Sequence, residues 1–93
     1  MFSWDIRKAI ANFEKHGVPF EEAVTTFDDA NGLDWIDLEH SGAEERRKRL
    51  AMSDSNRVLI TVYTIRRLKD GKETTRLISS RRASTRERKA YEA

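Results

Sequence analysis

The chain has 93 residues and a mass of 10.8 kDa, enough for one small domain over 1–93. It has no cysteine, which excludes disulfide scaffolds, thiolate zinc sites and thiol nucleophiles, and its longest apolar run, within Val58–Tyr63, is too short to cross a bilayer. The net charge of +2 conceals a division: residues 1–45 carry three basic and eleven acidic side chains, a net of −8, and residues 46–93 carry fifteen basic and five acidic, a net of +10, the mark of a polyanion-facing surface built from one part of the chain.

Asp5 is an N-cap, and Ile6, Ala9, Ile10 and Phe13 follow at helical spacing. Gly17 ends that helix, with Lys15 and His16 in the last turn, where positive charge meets the negative end of the helix dipole. Pro19 suits the first turn of a second helix; Glu21 and Glu22 stand near its positive end, and Phe20, Ala23, Val24 and Phe27 repeat the apolar stripe. Residues 28–32 break the pattern. Asp28 and Asp29 read as solvated turn acids rather than a cation site.

From residue 33 the period changes. Leu33–Leu38 alternates loosely, a strand. Arg46–Met52 reads as a second strand, too charged to be central; Arg46, Arg47, Lys48 and Arg49 suit an edge that resists aggregation. Val58–Thr64 is β-branched and nearly continuous, the strongest strand. Lys69-Asp70-Gly71-Lys72 is a hairpin turn signal, and Thr74–Ser80 returns as its partner. Ser84-Thr85-Arg86-Glu87 is a capping box opening a short helix through Tyr91. The expected class is α+β: two N-terminal helices packed on a small antiparallel sheet of three to four strands, with a short C-terminal helix.

Neither histidine falls at a metal-ligand spacing, so no metal or cofactor is expected. His16 suits a helix cap. His40 lies in a loop before Glu44 and Glu45, and histidine titrates near neutrality, so His40 is a candidate for proton transfer. In the basic half, Arg76, Arg81, Arg82, Arg86, Arg88 and Lys89 crowd into fourteen residues. Simple alternation sends Arg76, Ile78, Ser80 and Arg82 to one face of the strand and Leu77, Ser79 and Arg81 to the other. Guanidinium groups grip phosphate through paired hydrogen bonds, and Ser79 and Ser80 add hydroxyl donors. Tyr63 and Tyr91 supply rings on which bases stack. These residues favour a surface for nucleic acid or phosphate and leave binding and cleavage unseparated.

Phe2-Ser3-Trp4-Asp5, Lys15-His16-Gly17-Val18-Pro19-Phe20-Glu21-Glu22-Ala23 and Phe27-Asp28-Asp29, followed by His40-Ser41, Glu44-Glu45-Arg46 and Arg76-Leu77-Ile78-Ser79-Ser80-Arg81-Arg82-Ala83 with Glu87-Arg88 and Tyr91, resemble the BrnT family of type II toxin–antitoxin systems across nearly the whole chain. The resemblance implies a RelE-like fold, metal-free RNA cleavage and growth arrest. It also implies neutralisation by a BrnA-type ribbon-helix-helix antitoxin in a heterotetramer, which contacts operator DNA through the antitoxin. No signal peptide is visible at the N-terminus, so a cytoplasmic protein without membrane contact is expected. On this reading the ribose 2′-hydroxyl attacks the adjacent phosphorus. Arg76 and Arg81 stabilise the developing charge and Ser79 orients the phosphate. Glu45, His40 or Tyr63 transfers the proton, the residues not choosing among them. Arg46, Arg82 and Tyr91 bind RNA. The alternative is a non-catalytic RNA-binding or antitoxin-binding corepressor.

Overall fold

The computed structural model describes residues 1–93. In chain order the elements are β1 (Phe2–Ser3), α1 (Ile6–His16), α2 (Phe20–Thr25) with a 3-10 turn (Thr26–Asp28), β2 (Leu33–Ile36), β3 (Arg47–Met52), β4 (Val58–Arg67), β5 (Glu73–Arg82) and α3 (Thr85–Glu92). No helix is long and apolar enough to cross a membrane. The helix signals act as the sequence predicts. The Asp5 side chain accepts from the Arg7 and Lys8 amides at 2.8 and 3.4 Å. Gly17 takes φ +69°, the left-handed stop that a side chain would strain. Ser84 and Glu87 close a reciprocal capping box.

The sheet departs from expectation. It has five strands in the order β1-β5-β4-β3-β2, and it is mixed: Phe2 and Ser3 pair in parallel with Thr75 and Arg76, whereas the other pairs are antiparallel. Two residues carry no periodicity, so β1 left no sequence signal. The charged β3 is not an edge; it lies between β2 and β4. It is tolerated there because its cations find partners. Arg47 pairs with Glu45, Lys48 approaches Asp37, and Arg49 pairs with Asp34. Buried Arg49 also donates to the carbonyls of Thr26 and Asp29 and lies 5.3 Å over the Phe27 ring. Its fork meets several acceptors at once, the geometry that suits arginine to buried pairing. A Cβ at Gly32 would collide with this guanidinium.

One face of the sheet carries Tyr63 and Leu77 against Phe20 and Ala23 of α2, with Phe2, Trp4, Ala9, Val24 and Phe27 around them. The other carries Leu50, Val58 and Ile60 against Ala83, Met52 and Tyr91, which seats α3. Full burial of Phe20 contributes roughly 1.5–3 kcal/mol. Only Ala9 of the expected α1 stripe packs on this core; Ile6, Ile10 and Phe13 are more than half exposed. The inward contact of α1 is instead polar. Asn12 donates to the carbonyls of Val18 and Ser80 at 3.0 and 2.8 Å and accepts from the Ser80 amide at 3.0 Å. Ser80 lies beyond the two residues that β1 covers, so the Asn12 amide serves β5 as a missing neighbour strand would.

Asn12→Ala strands three buried backbone groups and is expected to destabilise the fold by about 3 kcal/mol, read as a melting-temperature fall on the order of 10–20 °C. The Arg81 fork on Glu87, at 2.8 and 2.9 Å, and the Ser84 amide hold the Glu87 carboxyl well down, at about 2 against an ordinary 4.5. A depressed carboxyl pKa stabilises fully above the ordinary value, and that stabilisation is lost as pH falls toward about 2. Glu87→Gln is therefore expected to lower the melting temperature at neutral pH and to flatten the acid limb of a stability–pH curve between those values.

Candidate functional site

The geometry turns on a bulge in β5. Tyr63 pairs with Leu77 and Val62 pairs with Ser79, leaving Ile78 as an extra residue. An inserted residue reverses the alternation beyond it. Leu77 and Ser80 both remain buried, Ser80 sharing a hydrogen bond with Thr61 on the α2 side. Arg76, Ser79 and Arg81, which simple alternation divides, therefore share the other face. Arg82 pairs with Leu59 and projects to the opposite one, next to Arg57 and Arg88.

On the face of Ser79, α3 covers only one end. Beyond it Trp35, Lys48, Val62 and Ser79 form a row across β2, β3, β4 and β5. Lys48 and Ser79 stand two strand spacings apart, about 10 Å. Trp35 is 42% exposed. The next row holds Thr64 and Arg76, with Arg46 entering β3 beside Thr64. Arg66 grips Glu44 through two hydrogen bonds. That grip, with the charges of Arg76 and Arg46, holds the Glu44 carboxyl below its ordinary value against the opposing effect of burial.

The loop between β2 and β3 brings a histidine to this face. Ser41 donates to the Asp37 carbonyl at 2.7 Å and accepts from the Arg46 amide at 3.0 Å, which fixes the turn. His40 Nδ1 then lies 3.0 Å from Asp37 Oδ2, with Lys48 Nζ at 3.9 Å from the same oxygen. Burial raises the Asp37 pKa, but the His40 hydrogen bond and the Lys48 charge outweigh it, and the net shift is downward. An ionised carboxylate only accepts, so Nδ1 carries the hydrogen in this contact and Nε2 is the ring nitrogen that Asp37 does not engage.

The other predicted residues have different surroundings. Tyr63 is buried on the opposite face, donating to Asp34 at 2.7 Å. Burial first, and that bond second, push its phenol up to about 12, so it offers neither a proton-transfer group nor a stacking ring at this surface. Glu45 is paired with Arg47, which stands opposite Tyr63 and so on the far face. Tyr91 donates to Asp29 and packs on the α3 core. Arg81 is held by Glu87. Sequence reading missed Asp37, Lys48 and Trp35. The Asp37–His40 spacing and the outward phase of Trp35 were available signals, but each is short and common.

A sequence profile of the family described as "Ribonuclease toxin, BrnT, of type II toxin-antitoxin system" matches residues 4–87. Among solved structures, the 1.1 Å crystal structure of the Brucella abortus ribonuclease toxin BrnT is similar at 20% identity, over 91% of this chain and 99% of that one, with a TM-score of 0.66. No curated protein matches. With the α+β fold shared and the profile spanning nearly the whole length, this chain belongs to the BrnT family of ribonuclease toxins of type II toxin–antitoxin systems.

Proposed function

We propose that this chain cleaves RNA without a metal ion, on the open face of the sheet, by attack of a ribose 2′-hydroxyl on the adjacent phosphorus. The observation that carries the reading is the bulge at Ile78, which gathers Arg76, Ser79 and Arg81 onto the face that already holds Lys48 and the Asp37–His40 pair.

His40 Nε2 takes the 2′-hydroxyl proton, its ring held by Asp37 in the required tautomer. The new bond joins O2′ to phosphorus and the bond from phosphorus to O5′ breaks. Solvent protonates the leaving oxygen, giving a 2′,3′-cyclic phosphate and a 5′-hydroxyl. Negative charge grows on the nonbridging oxygens, where Arg76 and Arg46 stabilise it. Ser79 orients the phosphate, and Arg81, braced by Glu87, adds positive potential from the α3 side. Trp35 is the stacking surface for a base; Tyr63 is buried on the opposite face, and Tyr91 packs beside Met52 with its hydroxyl on Asp29. Of the three proton-transfer candidates, this assigns His40, because Tyr63 and Glu45 are engaged on the other face.

A type II toxin implies an antitoxin partner and an RNA target. The antitoxin in this proposal is a BrnA-type ribbon-helix-helix protein, joined to the toxin in a heterotetramer that contacts operator DNA through the antitoxin alone. Its RNA substrate puts the activity in the cytoplasm.

The purified protein is expected to cleave RNA equally with and without EDTA. Loss of cleavage in EDTA would remove the metal-free mechanism, and intact RNA under every condition would leave the corepressor reading. Arg76→Ala is expected to lower the cleavage rate by roughly 10²–10³-fold, relieving growth arrest while antitoxin binding persists. His40→Gln is expected to lower it by roughly 10²–10⁴-fold. Tyr63→Phe is expected to lower thermal stability and to leave the rate within a few-fold.

A further inference from the structure

The cationic surface continues past Ser79. Because β1 covers only Thr75 and Arg76, the rest of the β5 edge faces α1 across a groove of about 250 Å³ lined by Lys8, Asn12, Lys15, His16, Ile78 and Ser79. The Asn12–Ser80 bonds fix the helix to the strand, so the groove is built into the fold. Lys8 and Lys15 are seven residues apart, two helical turns and about 10 Å along one side of α1. Both are exposed. Neither enters an ion pair, although the same half of the chain supplies acids to five cations of the other half. Two of the three basic side chains of the acidic half thus flank the one hydroxyl shared by the groove and the open face.

We propose that this groove is an extension subsite for single-stranded RNA, in which Lys8 and Lys15 hold backbone phosphates of nucleotides outside the scissile step. The proposal rests on the open face being the RNA site. A lysine is a flexible point charge and suits a phosphate of any sequence. The two together track a strand without reading it, the division of labour in which backbone contacts position and base contacts specify. A dinucleotide occupies the open face alone, and a longer strand runs over Ser79 and along α1.

The test compares wild type, Lys8→Ala/Lys15→Ala, the charge-retaining Lys8→Arg/Lys15→Arg, and Lys69→Ala/Lys72→Ala at the distant hairpin tip, each checked for fold by thermal melting. Binding is followed with an uncleavable 2′-deoxy oligonucleotide of about a dozen nucleotides across a salt series. Loss of two phosphate contacts makes the slope of log K against log salt shallower by about 1.4. The alanine pair is expected to show that change and at least about a ten-fold loss of kcat/KM on a long RNA. It should leave a dinucleotide substrate unaffected, and the arginine pair should restore both values. An unchanged slope overturns the proposal, as does an equal change in the hairpin-tip pair, which would make the effect one of net charge. Loss of antitoxin binding with an unchanged slope also overturns it and makes the groove a protein contact. If no variant cleaves RNA while the wild-type slope and its reduction are as stated, the subsite stands and the nuclease reading falls.

Discussion

One extra residue in β5 decides what this surface can do. Without the bulge at Ile78, keeping Leu77 in the core would bury Ser79 and turn Ser80 and Arg82 toward the open face. With it, Leu77 and Ser80 both remain under α1 and α2 while Arg76, Ser79 and Arg81 emerge together. The bulge leaves an irregular stretch of backbone, and Asn12 compensates at the adjacent Ser80 by satisfying its amide and its carbonyl. The residue that secures the helix to the sheet thus also steadies the strand that carries Ser79. Its removal is expected to loosen both, because no other partner is available to those buried groups.

The division of charge between halves resolves into a division of labour. Glu22, Asp34, Asp37, Glu44 and Glu45 of the acidic half meet Arg57, Arg49, Lys48, Arg66 and Arg47 of the basic half. These pairs lock strands, loop and helices together. Where they are well enclosed, as with Arg49 or with Arg57 and Glu22, their value is mainly that neither charge is left alone in the interior. Arg46, Arg76, Lys8 and Lys15 enter no such pair. Pairing does not spare the open face as a whole: Asp37 engages Lys48, Glu44 engages Arg66 and Glu87 engages Arg81 there, so that Arg46 and Arg76 are the unpaired arginines of that face and Lys8 and Lys15 the unpaired lysines of the α1 groove. The net charge of +2 is a sum over the whole chain and hides this local arrangement, in which Arg76, Lys8 and Lys15 stand unpaired around Ser79.

Where a structural cause is local, it was legible. Asp5, Gly17, Ser84 and Glu87 announce helix ends through their own hydrogen bonds or backbone preference, and β4 announces itself through β-branched side chains. The α+β class follows from those elements. Causes that lie across the sheet were not legible. A two-residue parallel strand exists only because β5 offers an edge, and a charged strand becomes central only because Asp34, Asp37 and Glu45 fold back onto it. The apolar stripe of α1 illustrates the reverse error. Helical spacing establishes that Ile6, Ile10 and Phe13 share a side, but the Asn12 contact decides that this side is not the one turned inward.

The same distinction governs the site. Composition picks out arginine, serine, histidine and tyrosine as chemically able, and only direction sorts them. Tyr63 and His40 are each bonded to an aspartate, yet the consequences are opposite. Asp34 holds the Tyr63 proton in a buried contact and pushes the phenol up to about 12, which removes it from proton transfer near neutrality. Asp37 takes the Nδ1 hydrogen of an exposed ring and does not engage Nε2. A carboxylate disables a phenol that has one polar atom and prepares an imidazole that has two. In the proposed mechanism that difference, rather than proximity to arginine, is the reason for assigning the base to His40, with Asp37 as the positioning residue whose loss would free the ring to adopt the wrong tautomer.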